Sequence, residues 1–222
     1  MNKTTAPSDE MIVLLHGLGR SRFSMSVLGR FLRRNGFSVY NFGYPSRRDS
    51  VDVQAQLLER ELRARGHINR PLSFVTHSLG SIIVHRFATA YADQFRLHRA
   101  VMLGPPNQGS HTARLVGKFG LLRSLIGPAL IEVQSAVPQS ATDKLEIGVI
   151  AGGGRGARGI SPLVSGNNDA IVSVEETKLP GLRDHIVLGG LHSFLMYQPR
   201  VHAEVLSFLR HGKFSPACSK TE

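Results

Sequence analysis

Thr76-His77-Ser78-Leu79-Gly80 is the stretch that decides how the rest of the chain is interpreted. An apolar segment that favours a strand comes directly before it, and a segment that favours a helix follows it. A tight strand-to-helix turn of this kind pushes a serine hydroxyl clear of the backbone, and the positions two before and two after the serine must be small. Gly80 meets that requirement, whereas Thr76 stands where a glycine is usual. The stretch predicts that Ser78 is an exposed nucleophile.

Apolar runs alternate with amphipathic segments on either side of this turn. The runs predict six strands: Met11–Leu15, Phe37–Phe42, Leu72–Val75, Arg99–Gly104, Glu146–Ala151 and His185–Leu188. Helical spacing of apolar residues predicts four helices: Ser24–Asn35, Val51–Arg65, Leu79–Phe95 and Phe194–Arg210. Strands that are continuous apolar runs between helices indicate a parallel sheet covered on both faces. We therefore expect a doubly wound α/β fold with a mostly parallel sheet of about six strands.

The length of 222 residues fits one domain, which we expect to cover 1–222. Its core spans about 11–210, between polar tails at 1–9 and 212–222. Segment 110–143 breaks the alternation, because it is rich in leucine and carries basic residues on its polar side. It fits an ordinary crossover helix packed on the sheet. It also fits a helical cap over the site, because so broad an apolar face must be buried against protein, acyl chain or lipid.

The charge balance is strongly basic, with 27 Lys and Arg against 16 Asp and Glu. The basic residues are scattered and lack the interleaved aromatic residues of a single-strand binder, so we expect no nucleic-acid partner. A weak association with an anionic membrane surface remains compatible with this charge. The first ten residues lack the apolar core of a signal peptide, and a cytoplasmic location is expected. Cys218 is the single cysteine, which excludes an internal disulfide.

A serine hydroxyl needs a histidine to take its proton and a carboxylate to orient that histidine. After a serine turn of this type, the acid and then the histidine follow in chain order, on loops after late strands. His192 lies between the end of the last strand and the start of the last helix. Asp169 lies in a turn-forming segment before it and is preferred as the acid. Asp184 is the rival, but it precedes its strand and so lies at the wrong end.

A tetrahedral oxyanion needs two backbone donors. One is the amide of the residue after the nucleophile, Leu79, and the other should come from the loop after the first strand. That loop has glycines at 17 and 19, so the amide of Leu18 is the expected second donor. His16, Gly17 and His77 flank these positions and are expected to contact substrate.

The segment Gly154-Arg155-Gly156-Ala157-Arg158-Gly159 matches the dinucleotide-binding pattern G-x-G-x-x-G and follows a strand. That pattern requires a helix directly afterwards to receive the pyrophosphate, and Ile160-Ser161-Pro162 follows instead. We interpret the segment as a loop and expect neither a nucleotide nor a metal cofactor.

Together these motifs resemble the α/β-hydrolase superfamily, in particular its bacterial lipases and esterases. The resemblance runs from about Met11 to Arg210 and includes Gly43-Tyr44-Pro45-Ser46 and Pro105-Pro106-Asn107-Gln108-Gly109-Ser110. It implies Ser78 as nucleophile, His192 as general base, Asp169 as its orienting acid, and Leu18 and Leu79 as oxyanion amides. Thr76 departs from the family pattern.

The resemblance predicts a serine hydrolase that cleaves a small acyl ester or a lipid through an acyl-enzyme on Ser78, without a cofactor. Two alternatives stay open. An acyltransferase or thioesterase would use the same residues, and a binding module without catalysis could use the same fold.

Overall fold

The computed structural model describes residues 9–110, 128–129, 143–154 and 159–216. Its strands are β1 Met11–Leu15, β2 Ser38–Phe42, β3 Pro71–His77, β4 Arg96–Leu103, β5 Glu146–Gly153 and β6 Asp184–Gly189. They form one parallel sheet in the order β2-β1-β3-β4-β5-β6. The predicted α/β fold with a six-stranded parallel sheet is therefore confirmed. Because all strands point the same way, their carboxyl ends meet at one edge of the sheet.

Four α-helices lie among the described residues: α1 Ser26–Arg34, α2 Val51–Ala64, α3 Leu79–Tyr91 and α4 Pro199–His211. Each covers the sheet with an apolar face, and the alternating side chains of the strands decide which side they meet. Val13 and Leu15 of β1 pack in the cluster that contains apolar residues of α2 and α3. Ile12 and Leu14 pack in the opposite cluster, with apolar residues of α1 and α4. The sheet is thus covered on both faces, as the apolar runs predicted.

The last predicted helix, Phe194–Arg210, is divided in two. A 3₁₀ segment covers His192–Tyr197, Gln198 is extended, and α4 begins at Pro199. Proline disfavours the α conformation in the residue before it and suits the first position of a helix. Pro199 therefore ends the 3₁₀ segment and begins α4, so the prediction of one continuous helix was wrong.

The first predicted helix, Ser24–Asn35, also begins with a 3₁₀ turn, at Arg22–Met25. The helix predicted over Leu79–Phe95 is α-helical only to Tyr91 and ends in a 3₁₀ turn over Ala92–Gln94. These two differences are confined to helix ends, where the first amides or the last carbonyls have no partner within the helix and the terminal turn tightens easily.

Most of the predicted cap segment 110–143 lies outside the described residues, as do Cys218 and residues 155–158 of the glycine-rich loop. Over the ranges that the structure describes, no helix is long and apolar enough to cross a membrane.

Candidate active site

The turn at Ser78 joins β3 directly to α3 with an unusual backbone. Ser78 has φ 50° and ψ −118°, in the left-handed half of backbone space that non-glycine residues rarely adopt. Its amide donates to the carbonyl of Leu103 on β4, at 3.0 Å, and its carbonyl accepts from the amide of Ser81, at 2.9 Å. The neighbouring strand and the first turn of α3 thus hold the strained conformation, as expected for a sharp turn that presents a serine.

The two small positions around Ser78 have different physical roles. A Cβ on Gly80 would lie 2.9 Å from the carbonyl oxygens of Leu15 and His16, so only glycine fits there. Thr76 is fully buried, and its Oγ1 lies 2.7 Å from Oγ of Ser81. The threonine thus fits the turn and adds a hydrogen bond from β3 to α3, across the bend that carries Ser78.

Asp169 and His192 are brought together at the carboxyl edge of the sheet. Nδ1 of His192 donates to Oδ2 of Asp169 at 2.6 Å, and the His192 amide donates to the Asp169 carbonyl at 2.9 Å. Oδ1 of Asp169 accepts from the amides of Ile171 and Val172, at 3.1 and 2.8 Å. Asp169 has no exposed surface and His192 has 5%. The carboxylate is thus fixed on both oxygens and holds the imidazole with its proton on Nδ1.

The loop that presents Asp169 is organised by its neighbour Asn168, which the sequence did not single out. The Asn168 side chain is fully buried, and its Oδ1 accepts from the amides of Ser161 and Ala170. Its Nδ2 lies 3.0, 2.9 and 2.9 Å from the carbonyl oxygens of Ser161, Val164 and Gly166, which share its two hydrogens. Asparagine residues commonly organise turns in this way, and that was the signal available in the sequence.

Glycines at the ends of β4 and β5 make room for the acid and the histidine. A Cβ on Gly104 would lie 3.0 Å from Nδ1 of His192 and 3.2 Å from Oδ2 of Asp169. A Cβ on Gly152 would lie 2.6 Å from Cβ of Asp169. Side chains at these positions would therefore push apart the pair that the two loops bring together.

Asp184, the rival acid, lies elsewhere. It begins β6, at the amino edge of the sheet, whereas His192 follows the carboxyl end of the same strand. Its carboxylate accepts from the amides of His185 and Phe214, both at 2.8 Å. Asp184 therefore has a structural role in holding the chain after α4.

His77 links the serine turn to the histidine loop. Its Nε2 donates to the carbonyl of His192 at 3.0 Å, and the two rings lie 4.8 Å apart. Burial first, and then repulsion between the protonated forms of His77 and His192, hold the pKa of His77 well below its usual value, so its ring is neutral at pH 7. No hydrogen bond joins Ser78 to His192 in the part of the chain described, so the recorded connection between the two loops runs through His77.

The loop after β1 passes directly beside the serine. A Cβ on Gly17 would lie 2.6 Å from Nδ1 of His77 and 3.4 Å from Cβ of Ser78, so glycine is required here. The amide of Leu18 donates to no backbone carbonyl among the described residues. Leu79 begins α3, and the first amides of a helix have no acceptor within it. Both amides are thus available to an oxygen atom held near Ser78.

The loop after β2 supports the loop after β1. The Tyr44 hydroxyl donates to the carbonyl of His16, and its ring stacks on the His16 imidazole with centroids 4.1 Å apart. Oγ of Ser46 accepts from the amide of Gly19 at 3.0 Å. His16 is fully buried and 2% of His77 is exposed, so neither ring has appreciable free surface for a substrate. The expectation that His16, Gly17 and His77 contact substrate stays a prediction, which this burial does not favour.

The glycine-rich segment after β5 lacks the helix that a dinucleotide site needs. In the stretch 159–174, which the structure describes, no helix is present, and the first helical turn is the 3₁₀ turn Glu175–Thr177. Within the same described ranges, no three His, Cys, Asp or Glu side chains are grouped to hold a metal ion.

No family model matches this sequence, and no curated protein sequence matches it. Solved structures do match. The mature lipase BlEst2 of Bacillus licheniformis shares 19% identity, with 91% of each chain covered and a TM-score of 0.65. The metagenomic carboxyl esterase MGS0156 shares 17% identity over 85% of this chain and 66% of its own, with a TM-score of 0.63. The phospholipase PlaB of Legionella pneumophila shares 16%, over 76% of this chain and 45% of its own, with a TM-score of 0.56.

These similarities, together with the parallel sheet and the turn at Ser78, show that the chain has the α/β-hydrolase fold. The fold hosts many activities, so the function has to be argued from the site.

Proposed function

We propose that the protein is a serine hydrolase of carboxylic esters, with Ser78 as nucleophile, His192 as general base and Asp169 as the acid that orients it. The observation that carries the proposal is the buried hydrogen bond of 2.6 Å between His192 Nδ1 and Asp169 Oδ2, at the sheet edge where Ser78 is presented. Lipases and a carboxyl esterase among the similar structures support the same class.

The proposed reaction begins when Oγ of Ser78 attacks the ester carbonyl carbon and its proton passes to Nε2 of His192. Asp169 fixes the Nδ1–H tautomer, so Nε2 is free to accept, and its charge stabilises the imidazolium that forms. The carbonyl oxygen becomes an oxyanion, which the amides of Leu18 and Leu79 bind. Each preorganised donor of this kind typically raises kcat about 10²–10³-fold.

Collapse of the oxyanion breaks the bond to the alcohol, which leaves with the proton from His192. Water then attacks the acyl-enzyme and gives a proton to His192. The second tetrahedral intermediate collapses, His192 returns the proton to Oγ of Ser78, and the acid is released. Hydrogen bonds between a nucleophile and its base often tighten only when substrate binds, so a missing Ser78–His192 bond is compatible with this sequence of steps.

A fluorophosphonate probe tests the nucleophile. We expect it to label the wild-type protein and not Ser78→Ala, because the probe reacts only with an activated serine. Ser38→Ala is the matched control, since Ser38 is exposed on β2 and belongs to no part of the site. Labelling that persists in Ser78→Ala would exclude Ser78 as nucleophile.

Hydrolysis of 4-nitrophenyl esters of rising chain length, with and without an added acceptor alcohol, tests the reaction. We expect release of free acid in water. Transfer of the acyl group to the alcohol in preference to water would identify an acyltransferase, and labelling without turnover of any ester would exclude a carboxylesterase.

A further inference from the structure

A cavity of about 230 Å³ opens beside the proposed oxyanion loop. Gly19 and Arg20 form one side of it, and the loop of residues 44–48 after β2 forms the other. Three of its lining residues are arginines: Arg20, Arg47 and Arg48. We refer to this cavity as the arginine pocket. Its lining is basic, unlike the apolar lining that is typical of ligand pockets.

The arginine pocket contacts two loops of the candidate site, the loop after β1 that contains Leu18 and the loop that contains His192. Gly19, in its wall, is adjacent to Leu18, one of the two proposed oxyanion donors. On the other side, Nη2 of Arg20 donates to the carbonyl of Ser193 at 3.0 Å, next to His192. A molecule in the arginine pocket would therefore be close to an ester bound at Ser78.

Within the described ranges, no acidic side chain pairs with the arginines of this pocket. No ion pair of Arg20, Arg47 or Arg48 is present among the described residues, and Arg47 and Arg48 are exposed. A Cβ on Gly19 would lie 3.4 Å from Nε of Arg47, so that guanidinium lies against the loop after β1. Asp49, the neighbouring acid in the sequence, forms no ion pair with the residues that the structure describes. Guanidinium groups gathered in a concave site favour a carboxylate or a phosphate, which they can bind through two parallel hydrogen bonds.

We propose that the arginine pocket binds an anionic carboxylate or phosphate group carried by the ester substrate. The inference rests on the proposed function and narrows its substrate class to esters with a negative charge near the scissile bond. A neutral ester would offer these guanidinium groups no anionic partner, so the pocket favours charged substrates.

Paired esters test the proposal, because one member of each pair carries a negative charge that the other lacks. Comparing the ratio between wild-type protein and variant cancels the intrinsic difference in reactivity within a pair. Mono-4-nitrophenyl glutarate and 4-nitrophenyl pentanoate place or omit a carboxylate on the acyl side. The butanoyl ester of 4-hydroxybenzoate and its methyl ester do so on the alcohol side. We expect the ratio of kcat/KM, charged over neutral, to fall about tenfold or more in Arg47→Ala/Arg48→Ala for at least one pair.

Arg30→Ala/Arg60→Ala is the matched control. It removes the same charge from exposed positions on α1 and α2 that do not line the pocket, and it should keep the wild-type ratio. Raising the salt concentration from about 0.02 M to about 0.5 M should lower the ratio in the wild-type protein without any substitution, because salt screens exposed charges. Ratios for both ester pairs that are equal in the wild-type protein and in Arg47→Ala/Arg48→Ala overturn the proposal.

Binding of inorganic phosphate to Ser78→Ala, measured by calorimetry, separates the pocket from the chemistry. We expect the Kd for phosphate to rise about tenfold when Arg47→Ala/Arg48→Ala is added. Weakened phosphate binding with no hydrolysis of any ester would retain the anion pocket and reject the esterase. Hydrolysis of both neutral esters with no effect on charge preference or phosphate binding would retain the esterase and reject the pocket.

A soluble ester and a lipid headgroup offer the same anionic chemistry, and vesicles distinguish the two sources. Co-sedimentation with phosphatidylglycerol vesicles should be compared with phosphatidylcholine vesicles for both double variants. If Arg47→Ala/Arg48→Ala loses sedimentation but keeps its preference for the soluble charged esters, the arginines contact a bilayer surface, and the substrate pocket is overturned. If Arg47→Ala/Arg48→Ala loses both sedimentation and the preference for charged esters, the pocket is supported, and a phospholipid is among the substrates that carry the anionic group.

Discussion

The hydroxyl of Thr76 lies 2.7 Å from the hydroxyl of Ser81, so a single buried hydrogen bond connects the two sides of the turn that carries Ser78. Neither hydroxyl is exposed to solvent. Leaving one of them without a partner costs about 1–3 kcal/mol, whereas removing both costs less.

This relationship predicts a non-additive effect of two substitutions. Thr76→Val and Ser81→Ala should each lower the free energy of unfolding by about 1–2 kcal/mol, and the double variant should lose less than the sum. Urea denaturation of the four proteins measures the coupling. Strictly additive losses would show that the hydroxyls do not interact. A glycine at position 76, the residue usual in serine turns of this kind, would leave Ser81 in the same unpaired state as Thr76→Val does.

The backbone of Ser78 predicts a difference in stability between two variants that lack its hydroxyl. At φ 50° a glycine is unstrained, whereas alanine keeps the steric cost of a Cβ. Ser78→Gly should therefore be more stable than Ser78→Ala by about 1 kcal/mol. Thermal or urea unfolding of the two variants measures this, and neither has a nucleophilic hydroxyl to complicate it. Equal stabilities would mean that the turn relaxes when the serine is replaced.

The acid can be identified by comparing two aspartates with different surroundings. Asp169→Asn can no longer accept from Nδ1–H of His192 with a full charge, and we expect kcat to fall by about 10⁴-fold. Asp184→Asn should leave kcat near the wild-type value, because its hydrogen bonds are to the amides of His185 and Phe214. Steady-state hydrolysis of one 4-nitrophenyl ester by both variants is sufficient. A large loss of kcat in Asp184→Asn with little change in Asp169→Asn would identify Asp184 as the acid instead.

His85 should make stability depend on pH. It is buried on α3, its Nε2 donates to Oδ1 of Asn107 at 3.1 Å, and burial lowers its pKa from 6.5 to about 4. Because the unfolded chain binds the proton more tightly, this stabilising contribution is complete above pH 6.5 and is lost as the pH falls towards 4. His85 alone should account for about 2 kcal/mol between pH 7 and pH 4.5.

The comparison of wild-type protein with His85→Gln isolates the contribution of His85 to the free energy of unfolding. The other buried histidines are present in both proteins, so their effects cancel in the difference. Denaturant unfolding at several pH values should give a stability difference that shrinks or reverses as the pH falls. A difference that is constant from pH 7 to pH 4.5 would show that His85 does not remain neutral by burial.

The sheet could be predicted because the side chains of its strands are apolar on both faces, and this is visible in runs such as Met11–Leu15. The position of Ser78, Asp169 and His192 at the carboxyl edge of the sheet could be predicted because each follows the carboxyl end of a strand. The helix predicted over Phe194–Arg210 failed at Gln198, although Pro199 was a local signal for a break.

What could not be predicted depends on contacts between residues far apart in the sequence. His77 and His192 are 115 positions apart, and no local pattern indicates that one donates to the carbonyl of the other. The contacts by which Tyr44 and Ser46 support the loop after β1 could not be predicted for the same reason, because they too join residues far apart in the sequence. Asn168 is different. Its residue type, beside Gly166 and Asn167, indicated a turn, but it did not indicate the five polar contacts that its side chain makes.

The position of β6 at the edge of the sheet has a consequence for how the protein refolds. Among the described strands β6 pairs with β5 alone, so it joins last if the sheet grows outward from β1 and β3, and the loop of His192 follows it. Contacts between residues far apart in the chain form slowly because a long loop must close first. Core burial around β1 and β3 should thus precede recovery of fluorophosphonate labelling. The time at which labelling reappears would therefore report when β6 joins the sheet.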